Sequence, residues 1–440
     1  MANYPSSSPI ESSKGNNNDS TIRKLLFYLL GLPRPGDLEG STIECINQYE
    51  KTSSVFHVIR YGIKQKQGEY RFASSTHFKI RSFFIHTFSM IGFFRLLTLM
   101  LVTDESVHIY LGDGLYSSKQ ASIIYFLCII TLGSLYGFGE ITLYQESSGY
   151  WKPMRVLDQL RSPNLNPSSI GLTRSYLTKA CSLIHLVAKH GVRIMNCAPL
   201  YMIFIIEAPI VAELSLKENP MFNFYCLLWS FFLACPFIYH MAGNFGRAGY
   251  LIMYGICSIL RLRSLETLVK HSSCQLTLIE RDINSLVSAI ISFCNEMEQV
   301  FRSIRFGIFY AVFVIAFMAD VQLFFGVIIP LEPALVAHLL AVNAAVILFA
   351  LGLTVYFCGV YLNTLQSTVV QFHRICTAQN ISVLTKLKIN ELMDRMAGPY
   401  NGIEAGWFGT LTTKFFVIFL VENASTMMLF AVNVVGYLIK

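Results

Sequence analysis

Phe416–Lys440 reads FVIFLVENASTMMLFAVNVVGYLIK. It is long and apolar enough to cross a bilayer, which takes about 20 mostly apolar residues. Yet its middle holds Glu422, Asn423, Ser425, Thr426 and Asn433. A charge at mid-bilayer costs about 2.5–3.5 kcal/mol on insertion scales, so such groups face a bundle interior or a water-filled path. On a helix Glu422, Thr426 and Asn433 share one face, Leu429 completes the stripe, and Leu420, Met428, Ala431 and Val435 lie opposite. The stripe has two readings: hydrogen bonds that hold neighbouring helices together, or the wall of a pore.

The rest of the chain supports a membrane setting. Of 440 residues, 53% are hydrophobic and 14% charged, against about 25% charged in soluble domains. The net charge of +7 comes from basic residues scattered beside apolar runs, which does not fit nucleic acid. The first 20 residues are polar, carry no cleavable signal and are expected to be disordered. The 11 cysteines include no C-x-x-C pair and most lie inside apolar runs, so neither a disulfide framework nor a metal site is expected.

Seven stretches qualify as spans: 82–102, 120–142, 194–213, 221–243, 304–329, 334–362 and 407–438. An amphipathic helix is predicted over 168–193, span four is predicted to continue as helix to about 270, and helical spacing over 275–303 predicts a helix running into span five. Connections on one side, including an N-terminal region 1–81, hold 28 Lys and Arg, and the other side holds Lys119, Lys217 and Lys440. The positive-inside rule then predicts a cytoplasmic N-terminus and an extracellular C-terminus. That orientation, with no Asp-Arg-Tyr or Asn-Pro-x-x-Tyr signature, excludes a G-protein-coupled receptor. No G-x-S-x-G, H-E-x-x-H or phosphate-binding glycine loop occurs, so neither an enzyme nor a cofactor is expected. The Gly-Asp-Gly of YLGDGLYSS is read as an external loop without a role.

Other polar groups lie inside the spans. Arg95 is in the first, Glu140 near the inner end of the second, Glu207 in the outer half of the third, Asp320 and Gln322 in the fifth, and His338 and Asn343 in the sixth. Tyr201, Tyr225 and Trp229 add aromatic surface at similar depth. A small-molecule pocket needs apolar or aromatic walls and a few orienting polar groups, so Tyr201, Glu207, Tyr225, Trp229, Asp320, His338 and Asn343 are the expected pocket set. The bland alternative is bundle glue or an interfacial aromatic belt. For Glu422 it is an ion pair with Lys414 or Arg95.

The segment GPYNGIEAGWFGTLTTKFFVIFLVENASTMMLFAVNV resembles the C-terminal region of the insect gustatory and odorant receptor superfamily. Gly406-Trp407-Phe408 matches the Gly-x-Phe element that enters the last span of that family. The gustatory branch continues with Thr-Tyr, five apolar residues and Gln-Phe. Here Thr426 is kept, Met427 replaces the Tyr, Asn433 replaces the Gln and Val434 the Phe, at the same spacing. Length, span number, internal N-terminus and short C-terminus are similar to the family too. The resemblance implies an all-α receptor in the plasma membrane, expected in a sensory neuron dendrite. It also implies a tetrameric ligand-gated cation channel, a homotetramer or a heteromer with related subunits, that responds to a small tastant or odorant. Asn433, Thr426, Leu429 and Glu422 would line its pore. The alternative is a proton-coupled transporter using Glu207, Asp320 and His338; no sequence repeat or broken span supports it.

Overall fold

The computed structural model describes residues 30–31, 37–59, 76–116, 120–147, 157–158, 160–161, 171–214, 220–274, 280–329, 331, 334–378, 381–398 and 402–438. The N-terminal 20 residues expected to be disordered lie outside them. Among the described residues every named element is helical, and the sole extended pairing is one bridge between Glu404 and Thr410. The chain runs through α1 (Leu38–Val55), α2 (Thr76–Leu101), α3 (Glu105–Tyr110), α4 (Ala121–Ser147), α5 (Arg174–Leu214) and α6 (Pro220–Cys274). It continues through α7 (Glu280–Phe309), a π-helical turn (Tyr310–Ile315), α8 (Ala316–Val327), α9 (Ala334–Ala378), α10 (Val383–Ala397) and α11 (Thr413–Leu438).

Six helices among the described residues are long and apolar enough to cross a membrane. They overlap the expected spans one, two, four, five, six and seven, and the expected third span, 194–213, is the second half of α5. The chain is thus a multi-pass membrane protein. The amphipathic segment and span three form one 41-residue helix. Span four extends to Cys274 in a helix of 55 residues that passes through Pro236.

Helix ends beyond the apolar stretches gather with α1 and α10 into a base. Its core joins Ile46 and Tyr49 of α1, Ile184 of α5, Tyr250 of α6, Phe293 of α7 and Phe372 of α9. Tyr49 donates to the Gly246 carbonyl at 2.5 Å and meets the Tyr250 ring edge-on at 4.9 Å. Ion pairs tie the periphery. Arg261 grips Glu296 with two bonds of 3.0 Å, and Glu298 takes both Arg395 (2.9 Å) and Arg302 (2.6 Å). A two-pronged guanidinium–carboxylate pair fixes direction as well as distance, so α6, α7 and α10 are held in register.

The last span departs from expectation at its start. Residues 407–412 are not helix: Gly406 (φ +57°) and Gly409 (φ +109°) turn the chain, and Ala405 N–H donates to the Gly409 carbonyl at 3.0 Å. Both φ values are in the region that favours glycine. Phe408 then stacks on Phe309 (centroids 5.6 Å) and lies 4.7 Å from Phe313, which gives the Gly-x-Phe element a packing role. The Thr412 hydroxyl accepts the Phe415 N–H at 3.0 Å, an N-terminal capping bond, and α11 begins.

Candidate functional site

At the end opposite the base, α2, α4, α5, α6, α8 and α9 surround a cavity of about 160 Å³. Leu96, Leu127, Met202, Leu233, Phe237 and Leu340 supply apolar walls, and Arg95, Asp113, Tyr125, Thr131, Gln322 and Asn343 supply polar groups. The loop after α3 forms its lid. Gly112 adopts φ +60°, and a Cβ there would collide with the Tyr225 backbone, so glycine lets the lid close onto α6. Arg95 holds it from below: Nε donates to the Leu111 carbonyl at 2.9 Å and Nη2 to the Gly112 carbonyl at 3.0 Å. The guanidinium also lies 5.7 Å from the Trp229 ring centre, whose own N–H donates to the Tyr110 carbonyl at 2.9 Å.

Asp113 is the keystone of the lid. It is 1% exposed, accepts the Leu115 N–H at 2.9 Å and the Tyr125 hydroxyl, and meets His108 Nδ1 at 2.6 Å. His108 Nε2 faces the Val102 carbonyl at 2.7 Å. The ring is thus held between the Asp113 carboxyl group and the Val102 carbonyl. At the opposite wall Gln322 donates to Thr131 at 2.6 Å and accepts from Asn343 at 2.8 Å, which links α4, α8 and α9.

The expected pocket set is redistributed. Tyr201 and Asn343 line the cavity. Tyr225 and Trp229 do not; Tyr225 packs on Tyr110 at 5.9 Å and both serve the lid. Asp320 is buried on α8 away from the lining, and its Oδ1 has no hydrogen-bond partner among the described residues. His338 is exposed, bonds its own helix at the Ala334 carbonyl, 2.7 Å away, and does not line this cavity. The Glu207 side chain lies outside the described residues. The Gly-Asp-Gly loop, read from sequence as idle, is the lid. Its signal was available: two glycines around an acid, with an arginine unpaired in the neighbouring span.

On α11, Glu422, Leu429 and Asn433 are exposed in the single chain, whereas Thr426 is half-buried beside Met427 and Phe430, which pack toward Val321 and Phe324. Leu420 and Met428, expected opposite the stripe, are exposed too. The uncovered face is therefore broader than the stripe, and Thr426 sits at its edge. Arg95 is engaged by the lid, and among the described residues no ion pair involves Glu422 or Lys414. Asn433 Nδ2 bonds the Leu429 carbonyl of its own helix at 2.9 Å.

No protein-family model and no curated protein sequence matches the chain. Solved structures do. The insect olfactory receptor OR5 from Machilis hrabei in complex with eugenol superposes with a TM-score of 0.58 over 88% of this chain and 97% of that one, at 12% identity. The structure of the same receptor described without eugenol gives a TM-score of 0.58 over 87% and 96%, also at 12% identity. The chain has the insect olfactory receptor fold. The match spans most of both chains.

Proposed function

We propose that the protein is a chemosensory receptor that acts as a ligand-gated cation channel, with the lidded cavity as the ligand site and α11 of four subunits around a central pore. The observation that carries this reading is α11 itself. It has membrane length, yet only 6% of its most apolar stretch is buried. Its exposed face holds Glu422, which makes no ion pair among the described residues. A carboxylate in lipid is costly, whereas a ring of carboxylates around water attracts cations and rejects anions. Asn433 and Leu429 share that wall, and Thr426 borders it.

The small cavity with apolar walls and a few hydrogen-bonding groups suits a small, mostly apolar tastant or odorant. The receptor would sit in the plasma membrane of a sensory neuron, as a homotetramer or with related subunits, and with its N-terminus in the cytosol. The transporter alternative draws less support, because Asp320 and His338 do not share a cavity. Whole-cell recording tests the reading. Glu422→Gln and Asn433→Ala are expected to change conductance and cation selectivity. Unchanged currents in both variants would remove α11 from the pore.

A further inference from the structure

A second cavity, of about 360 Å³, opens where α2 and α4 meet the base. It is more than ten times the share of liquid volume of one water, about 30 Å³. His57, Lys79, Ser82, His86, Glu140 and Tyr144 line it. None of them serves the ligand cavity or α11. Its depth follows from the chain: Lys79 and Ser82 lie at the start of the apolar stretch of α2, and Glu140 and Tyr144 near the end of that of α4. This is the level of lipid headgroups. Phe83 and Phe84 beside it are exposed, as is Tyr144 itself, so the opening borders acyl chains.

Glu140 meets His86 across this cavity, and His86 Nδ1 lies 3.0 Å from the Tyr136 hydroxyl. Lys79 and Glu140 line one space, yet no ion pair joins them among the described residues; the nearest basic group to Glu140 is His86 Nε2 at 3.9 Å. His57 is 6% exposed, and neither of its ring nitrogens has a hydrogen-bond partner among the described residues. Its backbone is left-handed (φ +59°), and its ring stacks on Phe78 at 4.2 Å, so its direction is fixed. Burial, followed by the nearby Arg247, pushes its pKa down to about 3, which keeps the ring neutral with one N–H to give and one nitrogen to accept. Both nitrogens are shut off from the open space, so the ring forms part of the cavity wall and its bonding groups do not reach a ligand.

We propose that this cavity binds a phosphoethanolamine group, with Glu140 taking the ammonium and Lys79 and Ser82 taking the phosphate, presented as the headgroup of a phosphatidylethanolamine in the leaflet at the base. The ligand has to carry both charges within one small volume. Its ammonium offers three N–H donors to a carboxylate, and its phosphate oxygens accept from an ammonium and a hydroxyl. Choline offers no N–H donor to Glu140, and phosphatidylglycerol offers no cation at all. The site is independent of the pore reading and stands whether or not α11 conducts.

Native mass spectrometry of the full chain, exchanged in turn into micelles with phosphatidylethanolamine, phosphatidylcholine or phosphatidylglycerol, tests it. One phosphatidylethanolamine per chain should be retained, about tenfold more tightly than the other two. Lys79→Met and Glu140→Gln should each weaken retention about tenfold, as expected when one charge-assisted hydrogen bond is lost. Lys79 is exposed, so Lys79→Met carries the test even if Glu140→Gln fails to fold. Equal retention of phosphatidylglycerol, or retention unchanged in Lys79→Met, would overturn the proposal. Displacement of the lipid by equimolar free O-phosphoethanolamine would keep the headgroup chemistry and overturn the lipid as its source.

Discussion

α8 and α11 are both apolar helices with one carboxylate among hydrophobic neighbours, and they end in opposite surroundings. In the α7–α8 run 56% of the most apolar stretch is buried, against 6% in α11. Asp320 is 4% exposed, enclosed by its own chain, whereas Glu422 lies on the uncovered side of α11. Hydropathy does not separate the two helices; their neighbours do. The polar residues of α8 are accommodated inside one subunit, as Gln322 is by Thr131 and Asn343. Those of α11 find no such accommodation, so their role depends on what lies outside the subunit: lipid, water or other copies of the chain.

The sharpest way to break this contrast is to exchange charge on both helices. Glu422→Lys would reverse the sign of the proposed four-fold ring and is expected to abolish cation current in whole-cell recording. Thermal unfolding of the purified protein should hardly move, because Glu422 is exposed and outside any ion pair. Asp320→Asn should do the reverse, leaving the reversal potential unchanged and altering thermal stability by about 1–3 kcal/mol, the usual scale for a buried polar group without a partner. A shifted reversal potential in Asp320→Asn would erase the distinction between the helices.

The cavity lid gives the next largest effect. Arg95→Ala removes two charge-assisted bonds to Leu111 and Gly112, each worth about 1.5–3 kcal/mol. Ligand sensitivity should fall more than tenfold, with lower thermal stability, in dose–response and melting curves. Asp113→Asn keeps the size of the keystone and removes its charge, so a shift of about tenfold in half-maximal ligand concentration is expected. His338→Ala is the smallest change. An exposed ring bonded only to its own helix should cost within about 0.5 kcal/mol and leave the response intact.

The fold was largely legible because apolar runs of membrane length leave little choice. Even the helices that outrun the membrane showed in the charged, helically spaced 275–303 stretch. What could not be read was direction around each helix axis. His338 and Asn343 sit five residues apart on one helix, and only Asn343 reaches the cavity. Aromatic residues misled for a related reason: Trp229 has the composition of a pocket wall, but its N–H found the Tyr110 carbonyl, a partner that only the folded loop creates. The start of the last span was overrun because the large aromatic rings of Trp407 and Phe408 sit in a segment that Gly406 and Gly409 turn.

The most direct measurement is the stoichiometry of the detergent-purified protein by single-particle imaging. A four-fold particle with α11 at its centre and Glu422 facing the axis is expected. A stable monomer, or an assembly with α11 on its lipid-facing rim, would contradict it.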